Sequence, residues 1–233
     1  MKGPEGTQPR DGAGTSLAGP RDGMPIRLVL ADDHAVVRQA LGLLLTGAGL
    51  DVVGEASDGH EAVRLVQELE PDVAVLDMVM PLMNGVDAAR EILKVHPGTR
   101  CILLTGRQDD QLLLDALQAG IRGCVLKTHR AEDLIRAIRD VAGGGTYLGP
   151  AVSRRVVEAY NNATGLPPDP LTARERQVLQ LIVEGKGPRE VAQILGVSPK
   201  TAEAHRTHIT RKLGINHTAG LVRYAIRRGF IEG

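Results

Sequence analysis

The chain has 233 residues, with 28 basic and 28 acidic side chains, 2 cysteines, 1 phenylalanine and no tryptophan. That length suits two domains of about 100–130 residues each, with cores built from Leu, Val, Ile and Ala because aromatic residues are scarce. No apolar run approaches the roughly 20 residues of a membrane span, and the N-terminus lacks the apolar region of a signal peptide, so a cytoplasmic protein is expected.

Zero net charge hides a split. Residues 25–150 carry 12 basic and 18 acidic side chains, whereas residues 171–233 carry 11 and 5. An acidic half joined to a basic half suggests a cation or basic partner for the first and nucleic acid for the second.

Residues 1–24 are Gly, Pro, Arg and Asp with little apolar content and read as a disordered tail; Met24, just before the first strand, is a candidate start. From there strands and helices alternate. Ile26–Ala31, Val52–Ala56, Val73–Leu76, Cys101–Leu104 and Gly123–Leu126 read as strands, being short apolar runs bounded by turn residues. His34–Thr46, Glu61–Leu69, Val86–Val95, Asp110–Gln118 and Ala131–Ala142 read as helices from their apolar spacing. Strict alternation implies an α/β fold, a five-stranded parallel doubly wound sheet in the flavodoxin-like order 2-1-3-4-5. Cys101 and Cys124 then fall in buried strands as small reduced core residues, not a disulfide or metal pair. Asn162-Ala163-Thr164 matches the glycosylation pattern only by chance.

Val152–Tyr160 reads as a short helix and Asn161–Pro170 as a linker. An all-α domain of four helices follows, about Thr172–Glu184, Pro188–Leu195, Pro199–Leu213 and Thr218–Arg228. Thr172 and Glu175 form a capping box, and Ser198 caps a helix whose first residue is Pro199. The expected division is therefore a tail at 1–24, an α/β domain at 25–145, a helix and linker at 146–170, and a helical domain at 171–233.

The strand ends carry chemistry. Asp32 and Asp33 follow the first strand, Asp77 the third, Thr105 the fourth and Lys127 the fifth. This is the sheet edge at which ligands bind. Three carboxylates there repel one another and call for a cation; hard oxygen ligands suit Mg2+. Asp77 could then attack phosphorus to form an acyl phosphate, with Thr105 and Lys127 donating to the phosphoryl oxygens.

In the helical half, a helix, a tight turn and a second helix suit docking in the major groove. Lys200, Glu203, Ala204 and Thr207 share one face of that second helix. Arg206, Arg211 and Lys212 can reach phosphates, whereas Glu203 and Thr207 can read base edges. Val191, Ala192, Leu195, Val197, Ile209 and Leu213 read as core.

The pieces Asp32-Asp33, Asp77…Met80-Pro81…Asn84-Gly85, Thr105-Gly106 and Lys127 resemble the receiver domain of bacterial two-component response regulators. The segment Leu171-Thr172-Ala173-Arg174-Glu175…Gly185…Glu190-Val191-Ala192…Leu195-Gly196-Val197-Ser198…Thr201…His205…Ile209…Lys212-Leu213-Gly214 resembles a LuxR-type helix-turn-helix domain. Together they are similar to NarL/FixJ-family response regulators.

The resemblance implies a transcription regulator, not an enzyme, that takes a phosphoryl group on Asp77 from a sensor histidine kinase. It implies Mg2+ held by Asp33, Asp77 and the Val79 carbonyl, with Asp32 acting through water, and a switch made by Thr105 and Lys127. It further implies that Lys200, Thr201, Glu203, Ala204, Arg206, Thr207, Arg211 and Lys212 lie at double-stranded DNA, on inverted repeats. A homodimer would pair through Leu221, Val222 and Ala225, with no membrane partner.

Departures are Cys124 where receivers usually place Tyr or Phe, Thr128 where Pro is common, Ala202 for Val and His217 for Arg. Cys124 and Thr128 motivate an alternative, a regulator of the same fold controlled by partner binding or dimerisation without phosphate. An aspartyl phosphatase is disfavoured because Val79 stands where a second acid would be needed.

Overall fold

The structure, a computed structural model, describes residues 24–106, 116, 117, 119–128, 130–149, 152, 153 and 169–231. The tail at 1–23, most of the helix expected at Asp110–Gln118, and most of the helix and linker expected between Val152 and Pro170 lie outside the described residues.

The first half alternates as β1 Arg27–Ala31, α1 Ala35–Gly47, β2 Asp51–Ala56, α2 Gly59–Leu69, β3 Val73–Asp77, α3 Gly85–Val95, β4 Arg100–Thr105, β5 Gly123–Leu126, α4 Ala131–Ala142 and β6 Tyr147–Leu148. The sheet order is β2-β1-β3-β4-β5-β6, and every pairing is parallel. The fold class is the expected one, with six strands in place of five. The extra strand follows from Gly143-Gly144-Gly145. Gly144 adopts φ +89°, open to glycine at no steric cost, and turns the chain back so that Tyr147 pairs with Gly123 and Leu148 with Cys124. Two residues are too few for an apolar period to reveal.

Continuous apolar strands are buried on both faces. One face packs Val29, Leu76, Leu103 and Cys124 against Ala62, Val66, Ala89 and Ile92 of α2 and α3. The other packs Leu28, Val75, Ile102 and Val125 against Leu45 of α1 and Leu134, Ile138 and Val141 of α4. Cys101 and Cys124 are free and buried, and burial pushes both thiols up to about 12.

The second half is α5 Ala173–Val183, α6 Pro188–Ile194, α7 Pro199–Leu213 and α8 Thr218–Arg227. Local chemistry starts each helix. Thr172 and Glu175 complete the capping box before α5, Pro188 opens α6, and Ser198 accepts from the Thr201 N–H ahead of Pro199 in α7. Gly214, at φ +66°, ends α7 in the left-handed conformation. Val178, Leu179, Leu181, Val191, Ile209, Leu221, Ala225 and Phe230 fill the core between these helices.

The two halves touch through α5 and the segment between β3 and α3. Leu82, on that segment, packs its side chain against the helical core.

Candidate functional site

β3 runs to Asp77, so its last peptide delivers the carboxylate at the sheet edge. The Met78 N–H donates to the Leu104 carbonyl and the Lys127 N–H to the Thr105 carbonyl, which brings the ends of β3, β4 and β5 together. Lys127 Nζ lies 2.9 Å from Asp77 Oδ2 and 2.8 Å from Asp32 Oδ2. The Asp32 contact lacks hydrogen-bond direction, so it is an ion pair. The His34 N–H donates to Asp32 Oδ1 at 2.9 Å, and His34 Nδ1 is 2.8 Å from Asp33 Oδ1.

Burial dominates the electrostatics. Asp32 and Asp77 are 0% and 4% exposed. Burial pushes the Asp77 carboxyl up to about 6, with Lys127 opposing and Asp32 and Asp33 adding to the rise. Burial alone would lower Lys127, but its pairing with Asp32 and Asp77 prevails and leaves it raised. The Asp33 carboxylate raises His34.

Asp32, Asp33, His34 and Asp77 each offer a ligand atom within 4.8 Å of the others. Carboxylates at that spacing suit a hard cation. The expected Asp32, Asp33, Asp77 and Lys127 therefore meet, and Thr105, buried at the end of β4, borders them. Val79 is half-buried, its side chain against the core. His34 is an addition that its place beside the acidic pair could have signalled.

The loop after Asp77 is tightly placed. The Gly85 N–H donates to the Met78 carbonyl at 3.0 Å. A Cβ on Gly85 would stand 2.0 Å from the Asp77 carbonyl oxygen, so only glycine fits there. Asn84 then caps α3, its side chain accepting from the Asp87 N–H.

In the helical half, α6 and α7 meet through the turn at Gly196, where the Val197 N–H donates to the Ala192 carbonyl. Ala202 and Ile209 face inward. Lys200, Thr201, Glu203, Ala204, Thr207 and Arg211 are exposed on α7, and Arg206 is half-buried. Lys212 is exposed on α7 too, its ammonium 2.6 Å from Glu175 Oε2. One expectation is corrected. Leu221 and Ala225, expected to pair two copies, are 2% and 0% exposed. Closing the core over α5 and α7 requires the apolar stripe of α8, which turns both inward; the face left outside holds Ala219, Arg223 and Arg227, bordered by half-buried Val222 and Ile226.

The family model for the response regulator receiver domain matches residues 28–139, and that for bacterial regulatory proteins of the luxR family matches residues 169–225. The oxygen regulatory protein NreC of Staphylococcus carnosus is 38% identical over 216 residues, covering 89% of this chain and 100% of NreC. The chain belongs to the LuxR-type response regulators.

Solved structures of this family align accordingly. A LuxR-family regulator from Aurantimonas is 32% identical at TM-score 0.57, covering 59% of this chain and 99% of that one. Salmonella enterica RcsB, bound to promoter rprA with phosphomimetic BeF3-, is 26% identical at TM-score 0.61, covering 86% of this chain and 98% of RcsB. As a LuxR-type response regulator, the chain is a DNA-binding, phosphorylation-controlled transcription regulator of a two-component system. Among the described residues, no helix is long and apolar enough to cross a membrane.

Proposed function

We propose that Asp77 is the phosphoacceptor and a sensor histidine kinase the donor. The observation that carries this is the meeting of Asp32, Asp33, Asp77 and Lys127 at one sheet edge. An Asp77 carboxylate oxygen attacks phosphorus, the bond to the donor imidazole breaks, and that nitrogen leaves with the electron pair. Lys127 then neutralises charge on the transferred oxygens, and Thr105 donates to one of them. Transfer of this kind depends on positioning and charge compensation more than on acid–base work.

Asp33, Asp77 and the Val79 carbonyl would hold Mg2+, with Asp32 acting through water. The carboxylate set fits a hard divalent ion, which screens the phosphoryl group's charge. Incubation with acetyl phosphate and Mg2+, followed by intact mass, tests the reading. A phosphoryl adduct on wild type and none on Asp77→Asn supports it; an adduct that persists in Asp77→Asn overturns it.

The receiver domain begins at about residue 25 and takes in β6, which pairs with β5; the DNA-binding domain begins at about residue 171. Lys200, Thr201, Glu203, Ala204, Arg206, Thr207, Arg211 and Lys212 meet the duplex at inverted-repeat sites, which two copies of the chain occupy. The outward face of α8, with Ala219, Val222 and Ile226, forms their pairing surface. The protein works in the cytoplasm as a regulator, not an enzyme.

A second reading is favoured by Cys124. It is 2% exposed and packed in the core, with no ring to move when Thr105 shifts. Control would then come from partner docking or dimerisation. Equal promoter binding by wild type and Asp77→Asn under phosphorylating conditions supports it.

A further inference from the structure

Helix α1 starts on a residue that does not cap it. His34 holds the N-cap position in extended backbone, φ −83° and ψ 98°, and its side chain makes no capping hydrogen bond. Ser, Thr, Asp or Asn at that place would accept from the first free N–H groups of the helix. The imidazole turns to the acidic pair instead. Its Nδ1 lies 2.8 Å from Asp33 Oδ1 and 3.3 Å from Asp32 Oδ1. A capping contact is given up, and a ring nitrogen is set beside the carboxylates.

Behind the ring, one oxygen is left unsatisfied. Asp32 is 0% exposed, and its Oδ2 is buried without a hydrogen-bond partner. The Lys127 ammonium stands 2.8 Å away but is shared with Asp77. A cation here meets Asp32, Asp33, His34 and Asp77, whose ligand atoms all lie within 4.8 Å of one another. Two ligands of one ion stand at most about 4.0–4.4 Å apart, twice a bond of about 2.0–2.2 Å. His34 can make up that difference, because its side chain is 52% exposed and moves without disturbing the core.

The donor set decides the class of ion. Mg2+ takes oxygen ligands, demands near-ideal octahedral geometry and keeps several waters. Imidazole suits iron, nickel, copper and zinc, and the affinity of a mixed nitrogen and oxygen site rises along the first transition row from manganese to copper. Mg2+ can use the carboxylates and leave His34 outside, whereas a borderline ion gains a further protein ligand. We propose that His34 is a metal ligand, and that the pocket takes a first-row transition-metal dication in preference to Mg2+. The inference rests on the reading of this pocket as the cation site beside the phosphoacceptor Asp77, and it changes which ion serves there. His34 adds no charge to the three carboxylates, so the preference it confers comes from the chemistry of nitrogen. Loading of Asp77 then answers to the supply of such ions as well as to the donor.

The experiment is calorimetric titration of the full, chelator-treated chain with Co2+ and, separately, with Mg2+. Wild type is compared with His34→Gln, which keeps an amide donor for Asp33 and offers oxygen in place of nitrogen. Proton NMR of the Co2+-loaded proteins reads the ligand directly, since an imidazole N–H on a paramagnetic ion resonates far outside the ordinary range. Wild type is expected to bind Co2+ more tightly than Mg2+ and to show such a resonance. His34→Gln should lose the resonance and bind Co2+ at least about 10-fold more weakly, the least that loss of a group merely orienting a ligand costs, with Mg2+ affinity unchanged. Wild type preferring Mg2+, equal Co2+ affinity in the two proteins, or equal loss for both ions overturns His34 as a selective ligand. So does a shifted resonance that is missing from wild type or persists in the variant. Each of these leaves the carboxylates as a Mg2+ site; a wild type that binds neither ion overturns both readings.

Discussion

The ammonium of Lys212 lies 2.6 Å from Glu175 Oε2, tying the last turn of α7 to the first turn of α5. Burial alone would raise Glu175, but Lys212 and Thr172 bring it below the usual carboxylate value. Glu175 is also half of the capping box. Lys212→Ala should therefore destabilise the helical domain by about 1 kcal/mol, since a buried carboxylate loses a charged donor while a half-exposed lysine is screened. Urea unfolding of wild type and variant checks this, and Lys212→Met should behave as Lys212→Ala does.

Arg211 is exposed on α7 beside Lys212. Arg211→Ala should leave stability unchanged, weaken DNA binding across all sequences and reduce the salt slope by about 1. Glu203→Ala should instead alter base preference by about 1–3 kcal/mol at one position. Fluorescence anisotropy with labelled duplexes at several salt concentrations separates the two.

Asp77 ties stability to pH. Its carboxyl moves from 3.8 to about 6 on folding, so between those values the folded chain binds more protons than the unfolded one. The contribution of this group to stability is then fully present below pH 3.8 and is lost as pH rises through 6. In chelator at pH 7.5, Asp77→Asn should be the more stable protein by ~3 kcal/mol at most, and the gap should close toward pH 4. Saturating Mg2+ should narrow the gap at pH 7.5 by stabilising wild type, by about 2.7 kcal/mol at 100 times the dissociation constant. Chemical unfolding at the two pH values, with and without Mg2+, provides the check.

Gly85→Ala places a methyl group 2.0 Å from the Asp77 carbonyl oxygen, which is backbone and cannot swing away. The expected cost is about 1–3 kcal/mol, with loss of acetyl phosphate reactivity because Asp77 itself is displaced. Gly106→Ala, where an added Cβ meets nothing within 4 Å, is the matched control. Thermal unfolding and intact mass on the pair measure both effects.

The α/β alternation, the strand ends that carry Asp32, Asp33, Asp77, Thr105 and Lys127, and the caps at Thr172 and Ser198 were legible because each is written in a few consecutive residues. β6 was not, because two residues make no period. Leu221 and Ala225 turned inward because an apolar stripe looks the same whether it will close a core or meet a second copy. The partner of Lys212 was hidden by separation, Glu175 lying 37 residues away. The bonds of Gln180 to Met80 and Asn84, and of Glu184 to Leu82, were hidden more deeply, since they span 96 to 102 residues and join two domains. Leu82, at φ +65°, marks that meeting, and backbone strain leaves no trace in composition.

Because the outer side of α7 stays open while side chains of α5 bond the segment after Asp77, the two domains can sit together without hiding the basic surface of the second. A polyanion could meet that surface with no parting of the halves, at a strength set by the surrounding salt.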